Sequence, residues 1–73
     1  MEIAELTDRL ERARRAVAEG DTDIRHQHDL IAHLKRAGAD TSQARVVLDA
    51  LLKRQAQRHH NLALILRQLP PDR

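Results

Sequence analysis

Residues 18–28 read Ala18-Glu19-Gly20-Asp21-Thr22-Asp23-Ile24-Arg25-His26-Gln27-His28, AEGDTDIRHQH. A glycine followed by Asp-Thr-Asp has the composition of a turn that ends one helix and caps the next. Two histidines follow closely. If this stretch is a loop, the first half of the chain breaks in two beside a ligand-like cluster. If it is helical, the same half is one long rod.

The flanking residues decide. Ile3, Leu10, Val17, Ile24 and Ile31 recur at a spacing of seven, and Leu6, Ala13, Gly20, Gln27 and Leu34 follow three residues behind. This is an a/d heptad from Ile3 to Leu34, and its phase passes through Gly20 without a skip. A loop would impose no reason for Ile24 to stay in phase with Val17. Glu5–Arg9, Asp8–Arg12, Glu11–Arg15 and Asp21–Arg25 add acid-before-base pairs at i,i+4. The spacing predicts one helix over about 2–36, bent or straight at Gly20. The competing reading is a break with Asp21 as the next N-cap, because Gly costs ~1 kcal/mol in a helix interior.

The later stretch RAGADTSQA, residues 36–44, is different. The heptad phase ends at Leu34. Lys35 and Arg36 suit the last turn of a helix, Gly38 suits the left-handed C′ position, and Asp40 or Thr41 suits an N-cap. A turn over 37–40 is expected, followed by a helix over about 41–69. Its seam positions are Ala44, Leu48, Leu51, Gln55, Arg58, Leu62, Ile65 and Leu69, at alternating spacings of four and three. Pro70-Pro71 stop it, leaving 70–73 as a short tail. No segment alternates with period two. The expected fold is all-α: a single domain over 1–73, built as a long antiparallel helical hairpin.

Folded about residues 38–40, Ile31 is expected to face Leu48, Ile24 to face Gln55, Val17 to face Leu62 and Leu10 to face Leu69. Gly20, Gln27, Gln55 and Arg58 then form a polar waist between two apolar zones. Gln27 and Gln55 stand within about a turn of each other and can hydrogen-bond, and Gly20 leaves room for Arg58. Such a waist serves register control: polar groups at core positions fix alignment at some cost in stability. A ligand site there is the weaker reading.

The chain has 73 residues, no cysteine and no aromatic residue, and much of its 41% apolar content is alanine. A single small core of this kind needs a staple, and without disulfides the staple is oligomerisation. Leu30, Val47, Leu52, Leu64 and Leu66 flank the seam beyond what two helices cover. They are the expected interface of a homodimer that closes into a four-helix bundle. A helix of another protein is the alternative occupant.

The composition argues against several other functions. Nothing resembles a catalytic constellation: Ser42 sits at a helix start, and there is no cysteine or Gly-rich phosphate loop. The chain is therefore read as non-enzymatic, with no cofactor. Of the five histidines, His26 and His33 with Asp29 form a loose stripe on one helix, a weak metal candidate between protomers. The rest read as solvated. The net charge is +2, with seven Lys/Arg against eight Asp/Glu in residues 1–36 and six against three in 37–73. Lys53, Arg54 and Arg58 are the best candidates for phosphate contacts, which makes a basic helical nucleic-acid binder the runner-up function. The longest apolar run, 62–66, is too short to span a membrane, and the N-terminus has no apolar signal region. A cytoplasmic protein without membrane association is expected. The leading function is protein–protein interaction, as a small adaptor, regulator or structural homo-oligomer.

From Ile24 to about His59, roughly half the chain, the sequence resembles a group of short proteobacterial helical-hairpin proteins. The likeness rests on Ile24, Gln27, Leu30-Ile31, Leu34, Gly38, Asp40-Thr41 and Ala44, then Leu48, Gln55 and His59. The most distinctive piece is GADT with its spacing to Ala44. His26, His28 and His33 depart from the pattern, where such proteins more often carry Arg or Glu. The resemblance implies the hairpin. The group carries no established activity.

Overall fold

The computed structural model describes residues 2–70 as two helices, α1 (Ile3–Arg36) and α2 (Ser42–Gln68), packed as a hairpin. Met1 lies outside the described residues, as do Pro71, Asp72 and Arg73 of the expected tail. α1 runs for 34 residues without a break, so Gly20 and the Asp-Thr-Asp after it are helical. Both helices begin and end within a residue of the positions expected from the heptads and caps. Thr22 satisfies its hydroxyl inside the helix by donating to the Ala18 carbonyl at 3.2 Å, and Thr7 does the same to Ile3 at 2.9 Å. Of the expected i,i+4 pairs, Asp8–Arg12 closes at 2.9 Å. Asp49–Lys53 adds another on α2 at 3.0 Å. Arg25 donates instead to Thr22 Oγ1 at 3.3 Å, leaving Asp21 for a different partner.

α1 ends in a full Schellman motif. Gly38 is left-handed, with φ 72°. The Gly38 amide donates to the Lys35 carbonyl at 3.1 Å, and the Ala39 amide donates to the Leu34 carbonyl at 2.9 Å. His33, Lys35 and Arg36 occupy the last turn, where positive charge complements the helix dipole. α2 opens on an Asx turn. Asp40 Oδ1 accepts from the Ser42 hydroxyl at 2.7 Å and from the Ser42 amide at 3.0 Å. The cap function thus belongs to Asp40, while Thr41 contributes its carbonyl to the first helical bond, from the Arg45 amide. The Ser42 hydroxyl, and then its amide, hold the Asp40 carboxyl below the usual carboxylate range.

The hairpin is a rod of 54 × 18 × 14 Å. Its radius of gyration is 16.8 Å, against about 11 Å for a compact domain of this length. The heptad positions form the seam. Leu6, Ala13 and Gly20 are buried from α1, and Ala44, Gln55 and Ile65 from α2. Leu10, Val17, Ile24, Gln27, Ile31 and Leu34 are half-buried, as are Leu48, Leu51, Arg58, Leu62 and Leu69. Ile3 is the exception among seam positions, at 62% exposure, because α2 has already ended opposite it.

The pairing across the seam differs from expectation by about one helical turn. Gln55 meets Val17 and Asp21 rather than Ile24, and Gln27 reaches the backbone of Ala44. Each α2 residue faces α1 roughly four residues earlier than a symmetric fold about 38–40 would place it. The Schellman motif supplies the cause. Its Ala39–Leu34 bond folds the chain back beside the last turn of α1, so the connection doubles back instead of extending the rod.

Two tests follow from these caps. Gly38→Ala should destabilise the hairpin by ~1–2 kcal/mol in chemical denaturation, from backbone strain alone. A Cβ there would meet nothing within 4 Å, so a steric cause is absent. Asp40 titrates lower when folded, so its contribution is present above its unfolded value of about 3.9 and is lost as pH falls through the folded one. Melting curves of Asp40→Asn should accordingly show a weaker loss of stability across that acid range than the parent.

Candidate functional site

The waist is the most built feature of the molecule. Gln55 is only 5% exposed. Its amide nitrogen donates both protons, to the Val17 carbonyl at 2.8 Å and to Asp21 Oδ1 at 2.9 Å. Its Oε1 lies 3.4 Å from Arg58 Nη1, which donates to it. No buried side-chain nitrogen or oxygen among the described residues lacks a partner. The waist is thus a satisfied polar network, the condition under which buried polar groups specify an arrangement rather than disrupt it.

Gly20 makes this geometry feasible. A Cβ at position 20 would fall on Gln55 Oε1, and it would stand 2.7 Å from both Gln55 Cδ and Arg58 Nη1. The missing methyl lets the amide reach the Val17 carbonyl, one turn back on the same face of α1. The space expected for Arg58 is therefore occupied first by Gln55. Gln27 and Gln55 do not bond to each other. Gln27 Nε2 donates to the Ala44 carbonyl at 2.9 Å, so each glutamine crosses the seam to the opposite main chain. The register places them too far apart along the rod for a mutual bond.

The expected interface leucines and valine are all exposed, between 41% and 47%. They do not share one face. His28, Ile31, Arg45, Leu48, Asp49 and Leu52 line one shallow groove along the seam. Arg9, Arg12, Ala13, Ala16, Asn61 and Ile65 line another on the opposite side. Helical periodicity puts Leu66 with Leu52 on the first side. Leu30 and Val47 lie on the second, near the turn, with Leu64 farther round that side of α2.

The basic candidates are also dispersed. Lys53 pairs with Asp49, Arg58 turns into the waist, and Arg54 is exposed about 100° from Lys53 around the helix. His26, Asp29 and His33 are exposed on α1. Among the described residues, no group of three or more His, Cys, Asp or Glu side chains is arranged to hold a metal ion. Among the described residues, no helix is long and apolar enough to cross a membrane. No protein-family model, curated protein or solved structure matches the chain.

The waist yields a coupled mutational expectation. Gly20→Ala gains ~1 kcal/mol of helix propensity. It also displaces Gln55 from two hydrogen bonds worth ~0.5–1.5 kcal/mol each and strands buried polar atoms at further cost. Net destabilisation of ~1–2 kcal/mol should appear in urea denaturation. In a Gln55→Ala background only the Arg58 guanidinium stands in the way, and as the end of a flexible side chain it can shift, so the same substitution should become stabilising. A double-mutant cycle with no coupling between the two sites would contradict this geometry.

Proposed function

We propose that the chain is a non-enzymatic protein–protein interaction module that works as a homodimer, two hairpins closing into a four-helix bundle. The observation that carries this reading is the balance of buried and exposed apolar surface. Among the described residues, the buried apolar ones are Leu6, Ala13, Ala44 and Ile65, two of them alanine, and no side chain is fully enclosed. Against these stand Ile3, Leu30, Val46, Val47, Leu52, Leu64 and Leu66, all large, apolar and exposed. A pair of helices sharing one seam buries too little to offset the ordering of two long helices. Packing a second hairpin against the first gives each helix a second seam and removes much of that exposure.

A polar waist fits the same role. It holds the two helices in one register, so the outer faces present a fixed pattern to a partner. The dispersal of Lys53, Arg54 and Arg58 favours this reading over phosphate binding, since a phosphate-tracking surface needs its cations on one accessible stripe.

Sedimentation equilibrium at micromolar concentration should give twice the chain mass, and thermal stability should rise with protein concentration. A well-folded monomer across that range would overturn the proposal. Steep, salt-sensitive binding to generic duplex DNA would instead revive the nucleic-acid reading.

A further inference from the structure

Resting on the dimer reading above, we infer which face carries the dimer and how the two copies are oriented. The occupant of the Leu52–Leu66 side of the hairpin is a second copy of this chain, turned antiparallel about a two-fold axis near Ala18 and Gln57.

The two sides of the rod differ in composition. On the side of Leu52, α2 presents Leu52, Ala56, His59, Ala63 and Leu66 at alternating spacings of four and three. This is a second heptad stripe, displaced sideways from the first. The equivalent strip of the other side carries Val47, Ala50, Arg54, Gln57, Asn61, Leu64 and Gln68. Between Leu52 and Leu66 the former is broken by His59 alone, with Arg45 and Asp49 extending it toward the turn, whereas Arg54, Gln57 and Asn61 run in succession through the middle of the latter. In a four-helix bundle each helix meets two neighbours roughly 90° apart, and the b/e positions flanking an a/d seam lie at about that angle.

Charge then chooses the orientation. On the same side, α1 presents Ala4, Glu11, Ala18, Arg25 and Ala32, each seven residues from the next. All five are exposed. Reversed about Ala18 the series is self-complementary. Glu11 meets the partner's Arg25, Arg25 meets the partner's Glu11, and Ala4 and Ala32 exchange places. The next strip adds Arg14 beside the partner's Asp21. The Arg25–Thr22 bond at 3.3 Å occupies one of the guanidinium donors and leaves the others for Glu11.

The register of the hairpin makes this pairing agree with α2. Gly20 packs against Gln55, so Ala18 lies level with about Gln57. A two-fold axis through Ala18 therefore also reverses α2 about that level. It sets Leu52 against the partner's Ala63, Ala56 against the partner's His59, and Leu66 against the partner's Asp49. Leu52 falls on a small residue, and Leu66 falls on Asp49, whose carboxylate is already held by Lys53 at 3.0 Å. The alternative axis, along the rod, keeps heights unchanged and stacks α2 on the partner's α1. Leu52 would then lie over Asp21 and Arg25, and Leu66 between Thr7 and Glu11, setting both leucines beside charges. The broad side measures 54 × 18 Å in outline, larger than the roughly 800 Å² per partner of a standard stable interface.

The chain has no cysteine, so a single introduced thiol can cross-link only between copies. Small residues permit interaxial distances near ~8 Å, which brings the two copies of position 18 within disulfide reach. Ala18→Cys should form a disulfide dimer readily under mild oxidation, whereas Leu30→Cys on the opposite side should not. Glu11→Arg and Arg25→Glu, both at exposed positions, should each weaken the dimer about tenfold while leaving helicity intact. The double variant E11R/R25E should recover parental affinity. So should an equimolar mixture of the two single variants, as a heterodimer. A dimer that ignores both charge reversals and links through position 30 instead would overturn this orientation and leave the dimer reading standing. A chain that stays monomeric in sedimentation overturns both.

Discussion

The structure depends on one amide. Gln55 lies buried in the seam with its nitrogen on the Val17 carbonyl and on Asp21, and that position exists only because residue 20 has no Cβ. Heptad seams of Leu, Ile, Val and Ala define a face but not an axial position, because shifting one helix by seven residues still puts apolar on apolar. A buried amide removes that freedom. In any other register Gln55 meets a side chain where it now meets the gap at Gly20. Its two N–H groups would then lose their acceptors, at ~1–3 kcal/mol for each unsatisfied buried group. Gln27, on the Ala44 carbonyl, repeats the constraint nearer the turn.

This explains why Gly20 sits mid-helix despite its poor propensity. The local cost of about 1 kcal/mol is offset by a network that no alanine would admit. It also explains Asp21. As a helix former it is weak, and as the second acceptor for Gln55 it completes the amide's hydrogen bonding. The turn-like composition of residues 20–23 therefore reflects packing across the seam. The true reversal, at Gly38, uses glycine for a different property: a left-handed backbone with open space around it.

Much of the fold was legible in the sequence. The unbroken heptad from Ile3 to Leu34 identified the long helix, and Gly38 with Asp40 marked the turn. The four waist residues were recognisable as polar side chains, or a missing one, at core positions. Their bonding was not. Periodicity gives the face a residue occupies but not its level against the opposite helix, and the level is set by how the turn closes. A Schellman motif that folds Ala39 back to Leu34 shifts the pairing by about a turn. That shift separates Gln27 from Gln55 and brings Gln55 to Gly20. The flanking leucines were found individually, while their division between two sides follows from the angular spacing around each helix.

The level of one helix against the other matters beyond the seam. In the proposed dimer the contact would spread over both helices, so the patterns on α1 and α2 would have to be complementary about the same axis. Sliding α2 by a single turn would leave each helix's own pattern intact, yet move the centre of the α2 stripe about 5.4 Å from the centre of the α1 charge series. A rigid partner could then satisfy one helix or the other, not both. The buried polar waist thus acts at a distance. By fixing register inside one hairpin, it determines which pairs of residues on the outside can be met at once.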